Sequence, residues 1–349
     1  MDKKLLLVTF PVDLGNAKNE TSLVDMFKDH LDLKIHRFIP DKKKHHSTSK
    51  LDYVAIISQR FVGSFALQKA VYQAQNEGRK VVFHGISPAL FAYPATQLGS
   101  SYIITDWTRK LYEPILGTQL SPAWQTFIHK HILNSQKYIL GLTDAVVEEI
   151  AKDYGVPESK LKKVKLPFTI DLNLFTSSPK RQDNEIRILF VGGDIKRKGG
   201  DILLRWFADN YQPNVKLTIV TTSLIDAHPQ VTLETNVKYG EPKHIELFNN
   251  HDIFVLPTKC EGYPAVLGEA ACAGLAILTT KNALGAPEII QNGVNGYICE
   301  SQEDLLKQLN ILVKNKPLIE AMKIKSREYM EKEFAPELVV SEYLNYIFE

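Results

Sequence analysis

The stretch Cys260-Glu261-Gly262-Tyr263-Pro264-Ala265-Val266-Leu267-Gly268-Glu269-Ala270 decides how this chain is read. It follows the short apolar run of residues 253–256 and opens a helical pattern over 266–273 that stops at Gly274, ahead of a β-branched run at 276–280. Strand, turn, helix closed by glycine and strand again form a βαβ unit, which requires a parallel sheet.

Outward from there the alternation continues. Before it, residues 186–191 read as a strand, 199–208 as a helix, 215–220 and 237–239 as strands and 244–250 as a helix; after it, 302–313, 318–334 and 336–348 are helical. The first half repeats the pattern, with strands expected at 5–10, 34–38, 53–58, 80–84, 101–105, 138–142 and 163–166 and helices at 19–31, 65–77 and 144–154. The polar stretch 176–184 separates the two series as a linker. The expected architecture is α/β, with two Rossmann-like domains at 1–180 and 181–330 and a last helical segment at 331–349. All-helical and all-β folds are excluded.

Composition agrees with a soluble globular protein: 349 residues allow two cores, 44% are hydrophobic and 23% charged. The three cysteines, Cys260, Cys272 and Cys299, have no metal-ligand spacing and form no even set, so neither a disulfide framework nor a zinc site is expected. A reducing cytoplasm is the expected compartment. The apolar run at 5–10 is too short for a signal peptide or a membrane span.

Charge is divided unevenly. Residues 1–180 hold 24 Lys plus Arg against 17 Asp plus Glu, and the remainder 18 against 23. Much of the excess lies in Lys42, Lys43 and Lys44 with His45 and His46, and in Lys160, Lys162, Lys163 and Lys165. Such clusters suit an anionic membrane surface, and equally serve as solvated charge. No recognition motif for nucleic acid accompanies them.

Two turns carry candidate chemistry. Between Glu261 and Glu269, the backbone of Gly262, Tyr263, Pro264, Ala265 and Val266 lies at a helix start, where unpaired N–H groups and the macrodipole favour an anion. Eight helical steps span about 12 Å, so one carboxylate can hold a sugar and the other a ribose across a diphosphate. The second turn, Val191-Gly192-Gly193-Asp194-Ile195-Lys196-Arg197-Lys198-Gly199-Gly200, follows the first strand of the second series. Its glycines permit close backbone approach, and Arg197 and Lys198 are candidate phosphate partners. No G-x-x-x-x-G-K-[ST] pattern occurs, which argues against ATP hydrolysis. In the first half, His84 and Asp106 each end a strand and compete for a place beside the reacting centre, with Trp107 following the latter.

Together, Val191-Gly192, Lys198-Gly199, Glu261 through Glu269, Ala270 to Gly274, and Gly285-Ala286-Pro287-Glu288-Ile289-Ile290 with Asn292-Gly293-Val294-Asn295-Gly296 resemble the retaining GT-B glycosyltransferases of glycosyltransferase family 4. The resemblance covers most of residues 186–300 in order and spacing. It implies a GT-B fold with parallel sheets facing across a cleft, and a last helix crossing back to the first domain. It implies Glu261 at the transferred sugar, Glu269 at the ribose and Lys198 at the leaving diphosphate. The family's Arg after Gly192 is replaced by Gly193, so one diphosphate contact is missing or is supplied by Arg197. The family's glycine pair after the first strand is absent, leaving Asp13-Leu14-Gly15-Asn16, and Thr143 stands in the position of a serine before a helix.

The expected activity is retaining transfer of a hexose from a nucleoside diphosphate sugar, UDP-sugar first, to a sugar, glycan or lipid acceptor. No metal and no cofactor is expected, and no D-x-D motif is present. Expected partners exclude nucleic acid and include peripheral contact with an anionic membrane through the basic half. A sugar-nucleotide epimerase, a phosphorylase and a non-catalytic nucleotide-sugar-binding module share the architecture and are the competing readings.

Overall fold

The computed structural model describes residues 3–10, 14–38, 50–97, 100–117, 123–167, 175 and 184–349. The chain divides into two compact units: Met1–Thr169 with Pro336–Glu349, and Ile170–Ala335. The division thus falls about ten residues before the one expected from composition, and the expected linker at 176–184 lies, Asn184 apart, outside the described residues.

Unit 1 holds six parallel strands, β1 (Lys4–Thr9), β2 (Asp32–Arg37), β3 (Lys80–His84), β4 (Ser101–Thr105), β5 (Tyr138–Gly141) and β6 (Leu161–Lys163), in the order β2-β1-β3-β4-β5-β6. Helices α1 (Leu14–Lys28), α2 (Lys50–Asn76), α3 (Ile86–Phe91), α4 (Arg109–Leu116), α5 (Ala123–Asn134) and α6 (Asp144–Tyr154) connect them. β1, β3 and β4 are nearly continuous runs of buried Leu, Val, Ile and Phe, as strands covered on both faces must be.

Three expectations for this unit are corrected. Residues 53–58 lie within α2, whose 27 residues contain no proline to interrupt them, so the β-branched run Val54-Ala55-Ile56-Ile57 is helical. The helix expected at 19–31 starts at Leu14 and ends at Lys28. The strand expected at 163–166 ends at Lys163, because its pairing with β5 uses Leu161, Lys162 and Lys163. Lys42 to His46 and Asp13 lie outside the described residues.

Unit 2 has its own parallel sheet of β7 (Ile186–Val191), β8 (Val215–Val220), β9 (Val231–Glu234), β10 (Ile253–Leu256), β11 (Ala276–Thr280) and β12 (Gly296–Cys299), in the order β12-β11-β10-β7-β8-β9. Its helices are α7 (Ile195–Lys198), α8 (Gly200–Asp209), α9 (Pro242–Asn249), α10 (Ala265–Cys272), α11 (Gln302–Leu312) and α12 (Lys316–Glu333). The helix expected at 199–208 is α8, and the one-turn helix α7 precedes it, the two divided at Gly199, where φ is 80°. The strand expected at 237–239 is absent; β9 lies earlier, where Leu217 to Val220 of β8 offer it a pairing edge.

Order reverses between β10 and β7, the point where an open α/β sheet gathers its ligand at the carboxyl ends of the strands. In unit 1 the reversal lies between β1 and β3. The last helix, α13 (Pro336–Phe348), belongs to unit 1: Tyr343 donates to the Lys165 carbonyl at 2.9 Å, and Tyr102 to that of Ile347 at 2.8 Å.

Candidate functional site

Three loops meet at the carboxyl edge of the unit 2 sheet, those following β7, β10 and β11. The first turns tightly because Asp194 caps α7, its carboxylate accepting from the Arg197 amide at 3.1 Å. The chain then passes so close to β10 that a Cβ on Gly199 would stand 2.0 Å from the Pro257 carbonyl oxygen, which leaves glycine as the residue that fits. The Arg197 carbonyl in turn accepts from the Lys259 amide at 2.9 Å. The β11 loop fastens the second, since the Glu261 amide donates to the Asn282 carbonyl at 2.9 Å and the Leu284 amide returns to Glu261. The position of Glu261 is therefore set by backbone on both sides.

These contacts bring Arg197, Lys198 and Glu261 together. Nη1 of Arg197 and Nζ of Lys198 each lie 2.8 Å from Oε1 of Glu261, and the same Nη1 donates to the Cys260 carbonyl at 2.8 Å. Lys198 is steered by Gly192, where a Cβ would stand 2.6 Å from the lysine Cδ. Burial works against the Arg197 charge, but the Glu261 carboxylate outweighs it and raises the guanidinium above its ordinary value. Burial, aided by Glu261, pushes the Cys260 thiol up to about 11, so it stays protonated and is no nucleophile at neutral pH.

Glu269 stands apart in its partner. It is buried inside α10, and its Oε2 lies 3.0 Å from Nε2 of His244 on α9. Because α10 begins at Ala265, only half of the eight steps between the two acids are helical, and the 12 Å helical spacing does not describe their path. Gly262, Tyr263 and Pro264 form the buried turn into α10, and Ala265 and Val266 open its first turn, in which the Leu267 amide donates to the Pro264 carbonyl at 2.8 Å. Gly193 is exposed, with its carbonyl accepting from the Ser223 hydroxyl at 2.8 Å.

His244 had no motif to mark it. It falls in the first turn of a helix that begins with Pro242, and only the packing of α9 on α10 shows its carboxylate. Its ring also meets Tyr239, centroids 5.2 Å apart.

In unit 1, His84 is the last residue of β3 and sits beside β1 at the point of reversed order, whereas Asp106 follows β4, one strand further along. Trp107 is partly exposed against Tyr112. Thr143 is buried and caps α6, accepting from the Val146 amide at 3.1 Å. The basic cluster is engaged: Lys160 donates to the Asn134 carbonyl at 2.6 Å, Lys163 pairs with Asp144 at 2.6 Å, and Lys162 lies over the Tyr138 and Tyr346 rings. Among the described residues no group of three or more His, Cys, Asp or Glu is disposed to hold a metal ion, and no helix is long and apolar enough to cross a membrane.

Residues 174–329 match the family model for glycosyl transferases group 1. The chain is 25% identical over 239 residues to an uncharacterized 41.2 kDa protein in the cps region of Klebsiella pneumoniae, covering 64% of each. It is 29% identical over 167 residues to the capsular polysaccharide biosynthesis glycosyltransferase CapM of Staphylococcus aureus, covering 44% of this chain and 43% of that one. It therefore spans 64% and 43% of the lengths of these two relatives. Among solved structures, HepE of Anabaena in complex with UDP and glucose shares the fold, with a TM-score of 0.70 over 98% of both chains at 14% identity. The fold class is α/β of the GT-B type, and the group 1 segment coincides with unit 2.

Proposed function

We propose that this chain is a retaining glycosyltransferase that moves a hexose from a nucleoside diphosphate sugar, a UDP-sugar, to a glycan or lipid-linked acceptor of the cell envelope. The observation that carries the reading is the convergence of Arg197 and Lys198 on Glu261 where strand order reverses, inside the segment matched to group 1 glycosyl transferases. UDP and glucose in HepE, and the capsular polysaccharide role in the name of CapM, support the donor and the acceptor class.

Departure of a diphosphate builds negative charge, which fixed cations and helix-start amides stabilise without a protein nucleophile. Arg197 and Lys198 are the cations, and exchanging Glu261 for phosphate oxygens frees that carboxylate to accept from sugar hydroxyls. The Gly262–Val266 turn and the glycine pair Gly192 and Gly193 allow backbone approach to the phosphates. Glu269, oriented by His244, takes the ribose. In unit 1, His84 rather than Asp106 is assigned to the reacting sugar, because it ends the strand at the reversal. No metal or cofactor is assigned, and the compartment is the cytoplasm with peripheral contact at a membrane.

Thermal unfolding with UDP-, GDP- and ADP-glucose tests the donor. A ligand at 100 times its Kd stabilises by about 2.7 kcal/mol, and UDP-glucose is expected to do so in the parent chain but not in Lys198→Ala. Equal melting temperatures with and without every sugar nucleotide would remove the reading.

A further inference from the structure

Helix α5 turns two large apolar side chains outward. Trp124 is 65% exposed and Phe127 is 72% exposed, while Ile132 and Leu133 of the same helix are buried in the core. Spacings of three and four residues place Trp124, Phe127 and His131 on one stripe. At its end, the His131 ring meets that of Tyr93, centroids 5.6 Å apart, and Tyr93 is itself 41% exposed. The Tyr93 carbonyl accepts from Gln68 of α2 at 2.9 Å, one turn from Phe65, which is 65% exposed. Four aromatic rings thus share one surface, more than scattered exposure accounts for.

The charges around them select the occupant. No Asp or Glu occurs from Pro114 to Thr143, from Gly78 to Thr105, or from Gly63 to Asn76, so the described parts of α2, α3 and α5 around the rings carry no carboxylate. The same stretches hold the exposed Lys69 and Lys130, and Arg109 reaches Gln125 of α5 at 3.5 Å. A second copy of this chain would set cation against cation. Rings at headgroup depth on helical stretches that carry Lys and no acid match an anionic bilayer surface, the nearest helix with exposed acids being α6 with Glu148 and Asp153. α5 also runs into β5 of a parallel sheet, so its first turn lies toward the carboxyl edge at which β3 ends in His84.

We propose that the α5 face, with Trp124 and Phe127 as its anchors and Lys69 and Lys130 as its cations, docks this chain on an anionic lipid bilayer. The surface is distinct from Lys160, Lys162 and Lys163, whose ammonium groups meet the Asn134 carbonyl, the Tyr138 and Tyr346 rings and Asp144. It deepens the reading of a lipid-linked acceptor, and no residue of the donor site takes part in it.

Sedimentation of the full chain with vesicles tests it, comparing phosphatidylcholine alone with phosphatidylcholine containing about 30% phosphatidylglycerol. The chain is expected to pellet with the anionic vesicles at low salt. Trp124→Ser with Phe127→Ser, and separately Lys130→Glu, are each expected to weaken partitioning about tenfold. Both sites are exposed, so circular dichroism melts should be unchanged and exclude misfolding. Absence of pelleting, pelleting undiminished in both variants, or a dimer in vesicle-free sedimentation velocity that the serine pair dissolves would each overturn the proposal. UDP-glucose protection is read separately in the same samples, so a failed donor assignment and a failed docking surface give different results.

Discussion

Nζ of Lys198 lies 2.8 Å from Oε1 of Glu261, and the same oxygen receives Arg197. Two cations converge on one carboxylate oxygen while a second carboxylate, Asp194, lies 3.7 Å from Nε of Arg197, so the charges at this edge of the sheet balance, and phosphate oxygens would have to take the place of Glu261 on the cations. Lys198→Ala removes the charge assigned to the leaving diphosphate. It is expected to lower kcat/KM by about 10²–10³-fold, the usual loss on removing one charge-stabilising donor, with little change in melting temperature. Steady-state kinetics on UDP-sugar turnover check this, and a loss under tenfold would take Lys198 out of the role.

Gly199 holds the cationic turn against β10. A methyl group there meets the Pro257 carbonyl and also demands a side chain at φ 80°. Gly199→Ala is expected to cost roughly 2–4 kcal/mol through strain and displacement of backbone, seen as a drop of about 4–16 °C in melting temperature. Because the same turn carries Arg197 and Lys198, UDP-glucose protection should fall as well. Gly240→Ala, at another positive-φ glycine with nothing within 4 Å of its Cβ, is the control for backbone strain alone.

His244 and Glu269 form a buried pair that the ribose assignment uses as a unit. Glu269→Gln keeps the shape and removes the charge, and His244→Ala removes the group that orients it. Both are expected to weaken UDP binding about tenfold or more while leaving the discrimination between sugars intact, since neither is assigned to the hexose. Isothermal titration with UDP, beside competition between UDP-glucose and UDP-galactose, distinguishes the two effects. UDP affinity unchanged in both variants would make the pair a packing feature of α9 and α10.

What the sequence made legible follows from where local pattern and tertiary partner agree. In unit 2 each strand is bounded by a glycine or a polar turn, and the turns after β7 and β10 carry their own capping and glycine signals, so Arg197, Lys198 and Glu261 could be named before their 2.8 Å contacts were known. Where only pairing decides, the pattern fails: β9 lies at Val231–Glu234 rather than at the expected 237–239, β12 is a four-residue strand held by β11, and the run Val54, Ile56 and Ile57 belongs to an unbroken helix. α5 escaped notice because Trp124 and Phe127 are apolar on its exposed side, which blurs the helical period. His244 was illegible because a lone histidine gains its meaning from Glu269, 25 residues away.

Glu149 is a buried acid outside the site. Thr108 donates to its Oε2 at 2.6 Å, and its Oε1 has no hydrogen-bond partner among the described residues. Burial is the main force raising its pKa to about 7; Thr108 and Lys110 lower it, and Asp153 and Glu113 add to the rise. The folded state therefore holds this proton more tightly than the unfolded chain, whose glutamate titrates near 4.5. Its contribution to stability is complete below that lower value, declines as pH climbs through the interval up to about 7, and is gone above it. The full depth is on the order of 3 kcal/mol. Glu149→Gln mimics the protonated form, so urea midpoints of parent and variant should agree near pH 4.5 and diverge by pH 8, where the variant is the more stable. Parallel midpoints across that range would place Glu149 in contact with solvent and remove the argument.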